Sequence, residues 1–102
     1  QRLAIREQIP LRPGESVFCE HICSRHYGTP WHFHPELELA LVRKSGGYRI
    51  VGDSISALTA GDLVLVGSNL PHVWYQDRDA GDVDAIIVQF RHDFAGSLLG
   101  GE

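Results

Sequence analysis

Short apolar runs, each ended by Gly, Pro or Asp, dominate this sequence and limit the folds that are open to it. The segment 36–42, Glu-Leu-Glu-Leu-Ala-Leu-Val, repeats with the period of two residues that is typical of a β-strand. No segment before residue 92 repeats its apolar residues with the period of an α-helix. Many short strands at regular spacing indicate an antiparallel sandwich or barrel. The sequence therefore predicts an all-β, antiparallel domain.

Turn residues place the predicted strands along the chain. Gly52-Asp53 lies between two short apolar runs, which is the signal of a two-residue β-hairpin. With the other breaks at Gly, Pro and Asp, the predicted strands are 16–27, 36–42, 48–51, 54–58, 63–66, 72–76 and 83–91.

The length of 102 residues suffices for a single hydrophobic core, so we expect one domain over 1–102. Residues 1–15 form an N-terminal arm in this interpretation, and 16–94 form the barrel. The Gly-rich segment 95–102 is either a frayed tail or the start of a linker to a further domain.

The predicted strand 36–42 is apolar on both faces. Leu37, Leu39 and Leu41 share the outer face, and the inner face carries Ala40 and Val42. A strand of this kind needs cover on both sides. The second cover would be another sheet, a missing domain or a second copy of the chain, and we expect a homodimer.

Charge and hydropathy exclude two classes of partner for this domain. Lys and Arg number 9 against 13 Asp and Glu, a net charge of −4, and the sequence has no basic run. Such a domain is a poor nucleic-acid binder by itself. Its apolar stretches are also too short to span a membrane. We therefore expect neither nucleic acid nor a membrane as its partner.

The two cysteines predict the compartment. Cys19 and Cys23 are four residues apart in a predicted strand, which separates them by about 13 Å. That distance is too long for a disulfide. We interpret them as reduced thiols in the core or wall of a cytoplasmic protein.

Three histidines and a carboxylate form a candidate metal site. His32 and His34 are two residues apart, so their side chains point to the same side of an extended chain, and Glu38 has the same parity. The three converge only if the chain bends between them, and Pro35 is well placed for the bend. His72 would join them from a separate strand. This donor set fits a divalent transition metal.

Alternatives remain for each of these residues. A single histidine inside a barrel is more often a hydrogen-bonded structural group than a ligand. Glu36 shares the parity of Glu38, so either carboxylate could face inward, and the other would pair with a surface Arg. His21, His26 and His92 have no companion at ligand spacing, and we interpret them as surface or structural residues.

Aromatic residues flank the histidines and predict a ligand pocket. Trp31, Phe33 and Trp74 adjoin them in sequence and, with Glu36, form the candidate pocket. Aromatic rings beside inward polar groups stack on a sugar or an aromatic ligand. An ordinary role in the core or at an interface explains the same residues equally well.

At these positions the sequence resembles the cupins. His32, His34, Glu38 and Gly46 match the first cupin motif, with Gly46 one residue later than usual, whereas Gly61 and His72 match the ends of the second. Inside the second motif, Gly67 stands for the usual Pro and Asn69 for the usual Gly. The resemblance implies a double-stranded β-helix, or jelly-roll barrel, whose four metal positions hold Zn, Ni, Fe or Mn.

One branch of the cupins is more similar than the rest. Residues 32–39, 61–66 and 69–72 resemble, in this order, the N-terminal sensor domain of AraC-type transcription regulators, and 89–94 resembles its end. The resemblance covers roughly residues 14–95. It implies a small-molecule effector inside the barrel, frequent dimerisation, and a C-terminal pair of helix-turn-helix units that bind DNA. The 102 residues contain no such DNA-binding half.

Two functions stay open, besides a storage or purely structural barrel. We expect the effector-sensing domain of a transcription regulator, which would have no catalytic residues. The alternative is a stand-alone metal-dependent enzyme, such as a dioxygenase or isomerase, with substrate at the open positions of the metal. A helix-turn-helix in the full gene would decide for the regulator, and turnover that depends on metal content would decide for the enzyme.

Overall fold

The computed structural model describes residues 3–25, 27–76 and 81–94, so the predictions for His26 and for the segment 95–102 lie outside the described residues. The strands within these ranges are β1 Ile5–Arg6, β2 Val17–Ser24, β3 His32–Phe33, β4 Leu37–Lys44, β5 Tyr48–Val51, β6 Ser54–Ala57, β7 Leu63–Val66, β8 His72–Tyr75 and β9 Val83–Phe90. All seven predicted strands are present, within a few residues of their expected ends.

Helix is confined to one short turn at residues 92–94 in the part of the chain that the structure describes. None of the described helical structure has the length or apolar character needed to cross a membrane.

The strands form two sheets. One has the order β1-β3-β8-β5-β6 and the other the order β2-β9-β4-β7. Neighbouring strands are antiparallel except for β1 and β3, which pair in parallel. The predicted all-β antiparallel architecture is therefore confirmed. The short β1, from the N-terminal arm, adds an edge to the first sheet, next to the strand that begins with His32.

The core lies between the sheets, and its residues are the inward-facing side chains that alternate along each strand. Ala40 and Val42 of β4 are buried, and the register places them opposite Ile87 and Ala85 of β9. The face that the sequence predicted as inward is thus the buried one, and it also carries Glu38. The complete buried apolar cluster is Ala40, Val42, Leu58, Val64, Val66, Trp74, Val83, Ala85 and Ile87.

The two cysteines lie in the wall of the barrel and not in its core. Both are free thiols and both are exposed on β2. Within the described residues this strand is an edge of the second sheet and pairs with β9 alone, and six of its eight residues are exposed. The core position that the sequence left open for the cysteines is therefore wrong, because an edge strand is covered only where its single neighbour and the opposite sheet reach it.

The outward face of the second sheet is a broad apolar surface. Leu39 of β4 lies opposite Leu65 of β7 and Val88 of β9. Leu63 and Leu65 are each 64% exposed. The described residues do not provide the second cover that the sequence predicted for β4. Homodimerisation through this face stays a prediction.

Gly47 lies just before β5, where the chain passes close to β8. A Cβ atom there would lie 2.0 Å from the main-chain oxygen of Tyr75, whereas one at Gly67 would meet nothing within 4 Å. Because the obstructing atom is backbone, we expect Gly47→Ala to lower the free energy of unfolding by about 1–3 kcal/mol. Gly67→Ala should change it by less than about 0.5 kcal/mol. Urea unfolding of both variants measures the difference, and equal stabilities would contradict the packing described.

Candidate metal centre

Three histidines from two parts of the chain meet between the two sheets. The register of β3 and β8 places His32 directly opposite His72, and His34 comes directly after β3. Their ring centroids are 4.1 Å apart for His32 and His72, 4.9 Å for His34 and His72, and 5.7 Å for His32 and His34. One ring nitrogen of each lies within 4.8 Å of the others. All three rings are buried and are positioned to bind a metal ion.

Main-chain carbonyl groups orient each ring. Every Nδ1 atom lies within hydrogen-bonding distance of a carbonyl oxygen two residues away: 2.7 Å from His32 to Pro30, 3.0 Å from His34 to Glu36 and 2.8 Å from His72 to Leu70. A carbonyl oxygen only accepts, so Nδ1 carries the proton and donates it. In a neutral ring Nε2 is then left with its lone pair free, which is the form that ligates metals.

Glu38 brings a carboxylate to the same place. Its Oε1 lies 3.2 Å from Nε2 of His34 and 3.8 Å from Nε2 of His72, and it accepts a hydrogen bond of 2.9 Å from the amide of Gln89. Two ligand atoms that are each about 2.1 Å from one ion are about 3.0–3.5 Å apart at ordinary coordination angles. The separation of Oε1 and Nε2 of His34 therefore suits either a shared proton or a metal ion.

Contacts within the cluster decide its charge. Burial acts to raise the pKa of the Glu38 carboxyl, but His34, His72 and Gln89 outweigh burial and hold that pKa well below its usual range. Burial acts to lower the pKa of His34, and the contact with Glu38 outweighs it and raises the pKa. Burial prevails at His32 and lowers its pKa. The carboxylate thus stays ionised in a buried site, where a cation neutralises it.

Residues between the strands produce the bend that brings Glu38 back to His34. The chain leaves extended structure after Phe33 and re-enters it at Leu37, as the position of Pro35 predicted. The main-chain N–H of Asn69 donates to the carbonyl of His34 at 2.8 Å, and the Ser68 hydroxyl donates to the carbonyl of Pro35. The loop before β8 therefore holds the bend in place.

A cavity of about 240 Å³ opens beside the histidines. His32, Glu38 and His72 contribute to its wall, and so does Trp74, the only member of the predicted pocket set that does. The remaining wall is largely apolar, with Ile9, Phe18, Tyr27, Val51, Val64, Val66 and Ile87. The volume is just below the range of about 300–1,000 Å³ that is typical of small-molecule pockets, so a ligand here is small.

Trp31, Phe33 and Glu36 lie away from this cavity. Phe33 stands between His32 and His34 in an extended segment, and successive side chains there point to opposite sides. Glu36 approaches His34 from the Nδ1 side, at 3.9 Å, rather than from the side of Glu38. Of the two carboxylates that the sequence left open, Glu38 is the one that meets the ring nitrogens facing the cluster.

Comparison with known proteins shows what this arrangement is similar to. No protein-family model matches the chain, and no curated protein sequence is similar to it. A cupin 2 conserved barrel domain protein from Rhodopseudomonas palustris superposes with a TM-score of 0.64 at 17% identity, over 80% of this chain and 57% of that one. The chain has the cupin fold.

Two further cupins support the assignment of the fold. A cupin-like protein from Thermotoga maritima gives a TM-score of 0.67 at 20% identity, over 76% of this chain and 59% of that one. An RmlC-like cupin from Shewanella frigidimarina gives 0.63 at 22% identity, over 78% and 71%. The chain thus spans little more than half the length of the first two proteins. The predicted jelly-roll barrel is confirmed.

The cupin barrel explains one departure from the usual motif. Asn69 has a φ of 60°, in the left-handed region. Glycine adopts this conformation most easily, and Asn is among the few other residues that tolerate it. Asn69 therefore replaces the usual Gly without displacing His72, whose ring stays in the cluster.

Sequence reasoning missed three polar residues of this cupin site. Gln89 is buried, and a polar residue on the inward parity of the apolar segment 83–91 was a usable signal. Arg49 lines the cavity from β5. Glu7 reaches the cluster from the N-terminal arm, with Oε1 at 3.4 Å from Nε2 of His32. No sequence pattern indicated Glu7, because its position depends on the pairing of β1 with β3.

We expect His34→Ala to abolish tight metal binding. The protein should bind one equivalent of a divalent transition metal, and the variant should bind it at least about 100-fold more weakly, because even residues behind the ligands affect affinity by about 10–100-fold. His92→Ala, at an exposed histidine, is the matched control and should bind as the unchanged protein does. Competition with a chelating dye measures the affinities. Equal binding by His34→Ala and His92→Ala would show that the metal site lies elsewhere.

We also expect Gln89→Leu to weaken metal binding by about 10–100-fold, although all four candidate ligands remain. The substitution removes the amide that donates to Oε1 of Glu38 and replaces it with an apolar side chain of similar size in a buried position. The same dye competition measures the loss, and urea unfolding confirms that the variant is folded. Unchanged affinity would show that Gln89 does not orient the carboxylate.

Proposed function

We propose that this cupin barrel is the small-molecule sensor domain of an AraC-type transcription regulator and that a divalent metal ion forms part of its binding site. The observation that carries the proposal is the buried cluster of His32, His34 and His72 with Glu38, at the wall of a cavity. The order of the motifs in residues 32–39, 61–66, 69–72 and 89–94 supports the regulator role, since it resembles that of AraC-type sensors.

Each residue of the site has a physical task in this proposal. His32, His34, His72 and Glu38 would hold the ion, which when bound supplies a positive charge and open positions for a ligand oxygen. The carbonyls of Pro30, Glu36 and Leu70 hold a proton on Nδ1 of each ring, so Nε2 is the nitrogen that would ligate the ion. The amide of Gln89 orients Glu38. The apolar side chains of the wall lower the local dielectric constant and thereby strengthen these polar contacts.

Signal transmission would be a shift between conformations that already exist. The N-terminal arm is the natural element to respond, because it touches both the sheet and the cavity. The N–H groups of Ile5 and Glu7 donate to the carbonyls of Trp31 and Phe33, and Ile9 is buried in the cavity wall. An effector that contacts Ile9 or the metal would favour one position of the arm. In the full regulator, a C-terminal helix-turn-helix pair would bind DNA.

We also propose a cytoplasmic location and a homodimer, each on a separate observation. Cys19 and Cys23 are free and exposed, which suits a reducing compartment. The apolar outward face of the second sheet, with Leu63 and Leu65, would be the surface covered in a dimer.

A metal-dependent cupin enzyme is the second candidate. The observation in its favour is that the metal cluster opens onto a cavity with room for a substrate. A dioxygenase or isomerase would use the same four residues as ligands. Turnover that rises with metal content and disappears in His34→Ala would support this candidate over the sensor.

The regulator proposal makes a prediction about the gene beyond residue 102. We expect two helix-turn-helix units there, and we expect the full protein to bind DNA next to its own gene in an electrophoretic mobility-shift assay. His34→Ala in the full protein should alter the response of that binding to metal and effector but leave DNA binding itself intact, because His34 lies inside the barrel. A gene that ends without a DNA-binding domain would overturn the proposal.

A further inference from the structure

Two hydrogen-bond donors at the cavity have no acceptor. The Nε atom of Arg49 and the Nε1 atom of Trp74 are both buried and make no hydrogen bond within the described ranges. Native proteins rarely leave buried donors unpaired, and each case calls for an explanation. The residues line the same cavity as His32, Glu38 and His72. An acceptor supplied by a ligand in the cavity would satisfy both.

The register of the first sheet places the two donors side by side. Arg49 of β5 lies directly opposite Trp74 of β8, and Val51 lies opposite His72. Since side chains alternate along a strand, Arg49, Trp74, Val51 and His72 share one face. Trp74 is therefore two residues along β8 from the metal cluster, about 6–7 Å away at the backbone. The donors and the cluster form two ends of one site.

The indole donor is held in a fixed orientation. Trp74 is 7% exposed, and its ring meets Tyr27 edge-on with 5.7 Å between the centroids. Its main-chain N–H donates to the hydroxyl of Thr29 at 2.9 Å. These contacts hold Trp74 in place on the wall of the cavity. A fixed donor of this kind selects for an acceptor.

We propose that the cavity binds a small organic acid, whose carboxylate is held by the guanidinium of Arg49 and the indole N–H of Trp74. A guanidinium matches the geometry of a carboxylate and forms two parallel hydrogen bonds with it. The carbon skeleton of the acid lies against Val64, Val66 and Ile87, and its far end faces His72. This inference rests on the proposed small-molecule function and adds the chemical class of the ligand.

The acidic residues of the wall do not compete with this assignment. Glu7 is half exposed and Glu20 is exposed, so water and salt screen both carboxylates. Neither forms an ion pair with Arg49 in the part of the chain that the structure describes. Glu38 is buried and engaged with the histidines and Gln89. Arg49 is therefore free to bind an incoming anion.

The test compares acids with neutral analogues of the same shape. Straight-chain mono- and dicarboxylates of three to six carbons, and their amides, are titrated into the zinc-loaded protein by isothermal calorimetry. At least one acid should bind about 10- to 100-fold more tightly than its amide, the difference that a charge-assisted hydrogen bond makes. If no acid at millimolar concentration binds more tightly than its amide, the inference is overturned.

Substitutions test whether Arg49 and Trp74 are responsible for the preference for an acid over its amide. Arg49→Gln should abolish the preference for the acid over its amide, and Arg49→Lys should retain part of it, because Lys keeps the charge but not the planar fork. Trp74→Phe keeps an aromatic side chain but removes the N–H donor, so it should weaken binding of the acid. Arg43→Gln, at an exposed Arg of β4, is the control and should change nothing. An unchanged preference in Arg49→Gln would sink the inference.

Failure here is distinguishable from failure of the proposed function. Zinc content is measured for every variant, and Arg49→Gln should retain it, since Arg49 is not part of the histidine cluster. A protein that binds zinc without preferring an acid would contradict only the assignment of the ligand. A protein that prefers an acid but whose gene lacks a DNA-binding domain would contradict only the regulator role.

Discussion

Three hydrogen bonds from histidine side chains to the main chain determine what this barrel can bind. Each imidazole donates a hydrogen bond from Nδ1 to a carbonyl two residues away, so Nε2 is the nitrogen of each ring that is left to ligate a metal ion. The carboxylate of Glu38 completes a group of acceptors in a buried place. A buried, ionised carboxylate beside three imidazoles needs a positive charge, and a proton or a metal ion would provide it.

The apolar core beside the cluster provides the free energy that stabilises the buried polar site. Burying charged and polar groups costs free energy unless they are paired, and the apolar layer of β4, β7 and β9 is what stabilises the domain around them. Strand alternation allows both functions in one strand, since Glu38, Ala40 and Val42 occupy successive inward positions of β4. Binding chemistry and stability therefore meet along the same inward face, with the polar groups at one end.

Predictions from the sequence agree with the structure for features that follow from local periodicity. They agree poorly for features that depend on how the strands pack. The alternation of 36–42 and the hairpin at Gly52-Asp53 correctly predicted strands, because both depend on neighbouring residues. The parity of His32, His34 and Glu38 correctly brought them together once Pro35 bent the chain. Adjacency in sequence was a poorer guide to the pocket: Trp74 lines the cavity, whereas Phe33 adjoins two inward histidines and for that reason points away from them.

The sequence by itself determined the strand rhythm, the inward face of β4 and the residues able to ligate a metal, since each is a property of local period and side-chain chemistry. Only the tertiary structure decided that β2 is an exposed edge and that Glu7 approaches His32. It alone placed the unpaired donors of Arg49 and Trp74 opposite each other. These features depend on which strands become neighbours, and that choice minimises the free energy of the whole chain rather than of any one segment.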